Sequence, residues 1–389
     1  MGRLTKWWRG MRKCSLLRRE RATYERLFES TGHRVPDDAE LRARVVARCG
    51  ERHGRPRILA IYHDHNWEGA CLGPALSELA DVFWADWRDP DDDALSPREG
   101  REARHARILS IVDQAHRDGP IDAVFTYLSG EQVGPGTVEA LRSLRVPLIN
   151  LSLNDKESFV GRVKDGLACG MRDIARHFDL CWTSTQDALQ KYVVAGASPL
   201  YLPEGGHPAV HRALQIPKDI DVAFVGQRYG DRTVLIERLQ SAGIDVRAFG
   251  AGWPSGPVST EEMVRIWNRA HIVLGFSGVL GHADTHCLKG RDFEVPMSGA
   301  CYLTQHHDEL AMFYEVGREI ATYSGPECLE DAILELLAQP ERMEAIRIEG
   351  RRRALKDHSW RGRFDKVLRI AGVIACSASP RDSGCQTDD

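Results

Sequence analysis

The stretch VAFVGQRYGDR, Val222 to Arg232, decides the reading of the fold. Val222–Val225 is an apolar run of strand length, Gly226 ends it, a second glycine stands at 230, and a helix begins near Asp231 and runs through Leu239. A strand feeding a helix through a glycine-bearing turn opens a βαβ unit. The alternation continues downstream. Asp245–Phe249 is a strand, GAGWPSGP a loop, and the next helix has its N-cap at Ser259 or Thr260, with Glu261 and Glu262 in a first turn where acids suit the dipole. His271–Phe276 follows as a strand and Ser277–Gly290 as a long loop, then Arg291–Met297 as a short helix, Cys301–Thr304 and Glu319–Tyr323 as strands, and two further helices to about His358.

Upstream the same alternation is present. Arg57–Tyr62, Val82–Ala85, Ala123–Tyr127, Pro147–Leu151, Leu180–Thr183 and Leu200–Leu202 are apolar strand candidates separated by helical segments. Strands alternating with helices of ten to fifteen residues indicate parallel sheets covered on both faces. The fold class is therefore α/β, with two Rossmann-like domains whose parallel sheets face across a cleft. The expected divisions are a basic helical segment over 1–50, a first domain over 51–205, a linker over 206–219, a second domain over 220–345, a helical segment over 346–375 and a disordered tail over 376–389. Ligands of such sheets bind at the carboxyl ends of the strands, and with two halves the natural site is the cleft between them.

Composition narrows the function. A net charge of −4 over 389 residues lacks the basic excess of a nucleic-acid binder. No stretch approaches the length of a membrane span. Ten cysteines without a C-x-x-C pair read as free thiols of a reducing cytoplasm. Arginine far outnumbers lysine, as in proteins of GC-rich bacterial genomes. The basic helix near the start, with Trp7, Trp8, Met11, Leu16, Leu17, Tyr24, Leu27 and Phe28 at helical spacing, packs on its own protein or a partner, or lies peripherally on an anionic membrane.

Two clusters carry chemistry in the second half. In FVGQRYGDR the glycines permit close approach to a phosphate, helix N–H groups point at it, and Arg228 and Arg232 add charge; a plain tight turn explains the same residues. In CLKGRDFEVPMSGACYLT, Cys287 to Thr304, Lys289 and Arg291 stand where cations oppose the helix dipole, which makes sense around an anion. Glu294 can accept from two hydroxyls of a ribose diol, or it simply pairs with Arg291 on the helix surface. In the first half, HDHNWEG places His63 and His65 directly after a strand as candidate general bases, oriented by Asp64, with Asn66 beside them; structural loop histidines explain the same residues. Asp155, in LNDKESF, is a further acceptor-site candidate. His282 and His286 in HADTH are spaced i,i+4, but a loop is a poor zinc platform, and no metal site is expected.

The runs LKGRDFEVPMSGACYLT, F-x-x-x-x-REIATY and DHSWRGRF, with FVGQRYGDR, FGAGW and YLPEGGHP, resemble the CgeB-type (spore-maturation-type) glycosyltransferases over roughly Pro147 to Phe364. The resemblance implies a GT-B fold related to the large group of retaining glycosyltransferases that use nucleotide sugars. It implies no required cofactor, with a UDP- or dTDP-linked sugar as co-substrate and a hydroxyl or amine of a small molecule or glycan as acceptor. In that wider group a pair of glutamates lies near the donor. Glu294 matches the second, which contacts ribose, whereas His286, eight positions earlier, stands where the first would be. Taken with the residue reading, the candidates are Arg232, Lys289 and Arg291 on the leaving diphosphate, and Gly226, Arg228, Tyr229, Gly250, Glu294 and Thr304 around the donor; Trp253 and Phe276, which end strands on the same sheet edge, flank the base or belong to the core. A nucleotide-sugar epimerase or hydrolase on the same fold, and a non-catalytic nucleotide-sugar-binding protein, are the alternatives.

Overall fold

The computed structural model describes residues 2–279 and 282–375; the expected disordered tail lies outside the described residues. Two parallel sheets organise the chain. The first has six strands in the spatial order Asp81–Ala85, Arg57–Ile61, Ala123–Thr126, Leu148–Ser152, Leu180–Thr183, Pro199–Tyr201, all pairing in parallel. The second has five, in the order Val246–Phe249, Ile220–Val225, Ala270–Leu274, Cys301–Gln305, Ala321–Tyr323, again all parallel.

Period-two alternation between two buried faces explains why the inner strands are apolar. Ile58, Ala60 and Tyr62 enter one core with Phe125, Ile149 and Trp182, while Leu59 and Ile61 enter another with Val124, Leu148 and Cys181. Helices are started by local chemistry. Ser96 accepts from the backbone N–H of Glu99 and Glu99 returns a bond to Ser96, a capping box with Pro97 at the first helical position of Pro97–Arg117. Ser259 is the N-cap of Thr260–Arg269, accepting from Glu262 N–H.

The chain crosses between the sheets twice, and the crossings run side by side. Gly206 N–H donates to the His358 carbonyl at 2.8 Å and Trp360 N–H to the Gly206 carbonyl at 2.9 Å. After the long helix Pro340–Asp357 packs against the second sheet, Trp360–Ile370 returns to the first core, where Trp360, Phe364, Val367 and Leu368 are buried with Trp182 and Phe125. Further contacts join the halves: Thr260 Oγ1 donates to the Asn66 carbonyl at 3.3 Å, and Tyr201 Oη donates to Glu309 at 2.7 Å.

Two elements differ from the sequence reading. The long loop expected over Ser277–Gly290 contains an antiparallel ribbon, Gly278–Val279 with His282–His286. A second short ribbon, Val163–Lys164 with Leu167–Ala168, was also unexpected. Both strands of each pair are too short and too polar to show periodicity. The helix Gly2–Ser30 lies against Leu189–Val194, held by Lys191 Nζ to Glu20 at 2.7 Å and by the edge of Tyr24 on Phe159.

Candidate functional site

In both sheets the strand order reverses beside the first strand, and the crevice outside that point is where open α/β sheets take ligands. In the second domain the crevice lies beyond Val225 and Leu274. Gly226 and Gly250 follow neighbouring strands there, and Gly250, at φ 123°, leaves no room for a side chain: a Cβ would lie 2.4 Å from the Gly226 carbonyl oxygen. Beyond them two guanidinium groups converge. Arg232, 5% exposed, lies 5.5 Å from the centre of the Phe224 ring, and Arg291 lies 5.3 Å from the same ring. Arg232 donates to the Gln227 carbonyl at 3.1 Å and stacks 4.2 Å from the Tyr229 ring centre. Burial, then the nearby Arg291 charge, pushes its pKa down to about 10. Nη1 of Arg291 is buried and has no hydrogen-bond partner among the described residues. Two like charges held together, one with an unpaired donor, are costly unless an anion joins them.

Around this pair stand the rest of the Cys287–Thr304 cluster. Lys289 Nζ donates to the Cys287 sulfur at 3.1 Å, while Asp292 is buried, accepting from Lys289 N–H at 2.7 Å and Tyr302 Oη at 2.8 Å. Thr304 is buried on the neighbouring strand. Glu294 lies 3.8 Å from His211 Nε2, and burial, reinforced by Glu204, raises its carboxyl to about 8. Glu204 itself is raised by burial to about 7, although Lys289 and the Gly290 N–H favour its ionised form. His286 accepts or donates at Ser277 Oγ, 2.9 Å from Nδ1, and stacks on His307 at 5.8 Å. Of the side chains of His282–Thr285 nothing is described.

Three residues named around the donor are turned elsewhere. Phe276, 6% exposed, packs edge-on against Phe224 at 5.0 Å and belongs to the core. Arg228 pairs with Glu237 at 2.8 Å over the Trp253 ring, and both line a separate hollow of about 600 Å³ beside the edge strand Val246–Phe249. Trp253 anchors the turn by donating from Nε1 to the Gly226 carbonyl at 2.9 Å.

In the first domain the crevice beyond Ile61 and Thr126 opens into a pocket of about 820 Å³ lined by His63, His65, Tyr127, Ser129, Asn154 and Asp155 among others. His63 Nδ1 bonds the Asp86 carboxylate at 2.7 Å, and Arg88 lies 3.4 Å from Nε2. The orienting acid is therefore Asp86 and not Asp64, whose carboxylate is exposed and folds back over Gly69. Register explains the substitution: Ile61 pairs with Ala85, so the residues following these two strands meet. Glu68, buried, accepts from the backbone N–H groups of His65, Asn66 and Trp67 and so fixes the loop. Asn66 meets the second domain through its carbonyl. The Asp155 carboxylate is fully engaged inside the domain, accepting from Ser152 Oγ at 2.7 Å, Thr183 Oγ1 at 2.6 Å and Tyr192 Oη at 2.9 Å. At 1% exposure it organises the pocket floor and does not present its oxygens to an acceptor.

Asp86, Glu68 and Glu204 are the site residues that the sequence did not single out. Glu204 lies within YLPEGGHP, a run that carries the resemblance but whose proline and glycine give its acid no role. Among the described residues no group of three or more His, Cys, Asp or Glu side chains is placed to hold a metal ion, and no helix is long and apolar enough to cross a membrane.

A family model described as "Glycosyl transferase-like" matches residues 232–369, which include Arg232, Lys289, Arg291 and Glu294. No curated protein matches the sequence. Among solved structures, the sucrose-phosphate synthase of Thermosynechococcus elongatus is similar at a TM-score of 0.59 and 13% identity, covering 80% of this chain and 98% of its own. HepE of Anabaena, solved in complex with UDP-glucose, is similar at 0.58 and 11%, covering 82% and 98%. A glycosyltransferase of Rickettsia africae is similar at 0.54 and 9%, covering 82% and 98%. The fold is thus the GT-B fold, with two parallel α/β sheets. Fold and family region together support a transferase of the glycosyltransferase kind.

Proposed function

We propose that the protein transfers a sugar from a nucleoside diphosphate, held by the second domain, to a hydroxyl or amine of an acceptor in the first-domain pocket. The observation that carries the reading is the buried, unpaired Nη1 of Arg291 beside Arg232 at the switch point of the second sheet. A leaving diphosphate gains charge as the sugar–phosphate bond breaks, and two fixed guanidinium groups in a water-poor cleft stabilise that charge without reorganising. Lys289 adds a third cation. The raised carboxyl of Glu294 suits the ribose, since a protonated or ionised glutamate can accept from its hydroxyls. HepE, of the same fold, is solved with UDP-glucose, which favours a uridine donor over a dTDP-linked one.

The CgeB-type resemblance carries two finer expectations, retention of configuration and no need of a metal ion; the arginine excess supports a bacterial source and the scattered cysteines a cytoplasmic setting. A second reading of the stereochemistry has one observation behind it. His63, fixed by Asp86 on the acceptor side, is built as a general base, and a base that deprotonates the acceptor favours inversion.

The test is incubation of the protein with UDP-glucose and other nucleotide sugars, with and without an acceptor panel, read by mass spectrometry and product NMR. Glycosylated acceptor with an assigned anomeric configuration supports the proposal and separates retention from inversion. Conversion of the donor sugar without acceptor identifies an epimerase, and binding without turnover under every acceptor identifies a non-catalytic binder.

A further inference from the structure

The first-domain pocket is closed on one side by an element outside the two-domain core. Leu16 and Leu17, with Glu20, come from the helix Gly2–Ser30, and they face a wall that includes Trp87, Tyr127, Leu153 and Met171. Leu16 is 56% exposed, a large apolar side chain standing at a cavity on an otherwise basic helix. The helix is not loosely placed there. Glu20 is bonded to the nearly buried Lys191 at 2.7 Å, Arg21 lies 3.6 Å from Asp187, and Tyr24 packs on Phe159. These contacts all follow the leucines within about two turns of the same helix and so fix which face meets the pocket.

Volume and chemistry then limit what fits. At about 820 Å³ the pocket is in the range that encloses drug-sized ligands, well beyond one sugar ring. Its walls are divided. One part is apolar; the other carries Ser129, Gln132, the His63–Asp86 pair and the charged Glu131, Glu157 and Arg162, with Ser129 Oγ already bonded to Gln132 at 2.6 Å. Trp87, 8% exposed and lining the pocket, keeps its Nε1–H buried without a partner among the described residues. A buried donor left unpaired costs free energy that a hydrogen-bond acceptor on a ligand would recover.

We propose that the acceptor is an amphipathic molecule, with an apolar body of aglycone size packed between the Leu16–Leu17 face of the N-terminal helix and the Tyr127–Met171 wall, and a hydroxyl at His63. This rests on the reading of the first-domain pocket as the acceptor site. It assigns the basic helix a role at the substrate, where a free sugar would leave the apolar wall wet. An alkyl chain and an aromatic ring share the required chemistry, and the test distinguishes them.

Binding is measured by isothermal titration on the full chain, with glucose, phenyl β-glucoside, and octyl β-glucoside below its micelle concentration, each in the presence of UDP. The expected result is that at least one glycoside binds about tenfold or more tightly than glucose, the gain from burying an apolar group of that size. A preference for octyl over phenyl identifies an alkyl body, and the reverse an aromatic one. Leu17→Asp removes the gain while UDP affinity stays at the wild-type value, and Leu17→Ala reduces it in the same direction with less risk to folding. Equal weak binding of all three ligands, or a glycoside preference untouched by both leucine variants, overturns the inference. UDP is first titrated alone into each preparation, so a failed donor site is seen separately from a failed acceptor assignment.

Discussion

Arg232 and Arg291, fifty-nine positions apart in the chain, place their guanidinium groups within 5.5 and 5.3 Å of one aromatic ring, that of Phe224. The arrangement is unfavourable for the free protein, because each cation raises the cost of the other and Arg291 Nη1 has no partner among the described residues. Arg291→Ala should therefore leave the melting temperature equal to or above that of the wild type, while catalytic efficiency with the cognate donor falls by about 10²–10³, the scale of a lost electrostatic donor. Calorimetric melting and steady-state kinetics on one preparation check both halves. Arg291→Lys should recover part of the affinity only, since a point charge does not replace a planar fork.

Glu294 and Glu204 are raised by burial to about 8 and about 7 from a reference of 4.5. The folded state holds protons there that the unfolded chain has released, so these groups make stability fall as pH rises from 4.5 towards their folded values. Buried histidines act oppositely: His211 is lowered by burial to about 3, His307 and His358 to about 4, and their effect ends near the unfolded value of 6.5. Between about pH 6.5 and 8 the carboxyl effect stands alone, and the melting temperature should decline by a few degrees. Glu294→Gln flattens that decline. A melting temperature that rises over this interval contradicts the assignment.

Asp86 holds Nδ1 of His63, leaving Nε2 towards the pocket with Arg88 near it. If His63 takes the acceptor proton, Asp86→Asn lowers kcat by about 10²–10⁴, with the KM for the nucleotide sugar unchanged, because the pair lies in the other domain from the donor. Asp64→Asn should be nearly silent. The split between kcat and donor KM distinguishes acceptor activation from a general loss of structure.

Asp155 makes a contrasting prediction. Its carboxylate satisfies three hydroxyls at full burial, so Asp155→Ala leaves Ser152, Thr183 and Tyr192 without their common acceptor. The expected cost is about 2–4 kcal/mol, measured by denaturant unfolding, with donor affinity retained in whatever fraction remains folded.

The sheets were legible because their inner strands are buried on both faces and read as apolar runs, as in Ala123–Thr126, Leu180–Thr183 and Cys301–Gln305. The convergence of cations near Arg291 left a trace in the sequence, because Lys289 and Arg291 break the rule for charges at a helix start. What escaped depends on pairing across the chain. Asp86 becomes the partner of His63 only once Ile61 and Ala85 are known to be in register. Glu204 reaches Glu294 only because the crossing between the sheets brings it over Gly290, where a Cβ would lie 3.0 Å from one carboxylate and 3.1 Å from the other. Asp155 follows a strand, as a ligand-facing residue does, but Tyr192 and Thr183 claim its oxygens from elements that its local sequence does not announce. The ribbon at Gly278–Val279 and His282–His286 has no apolar alternation to read.

The most direct measurement is isothermal titration of UDP, GDP and dTDP into the full chain and into Arg291→Ala. The account predicts that the wild type binds a nucleoside diphosphate, that UDP is preferred, and that Arg291→Ala, folded by its melting curve, weakens that binding by about tenfold or more, as expected for losing a charged hydrogen-bond donor. Binding that is unchanged by Arg291→Ala, or no binding of any of the three by a folded wild type, would contradict the assignment of the second domain to the donor.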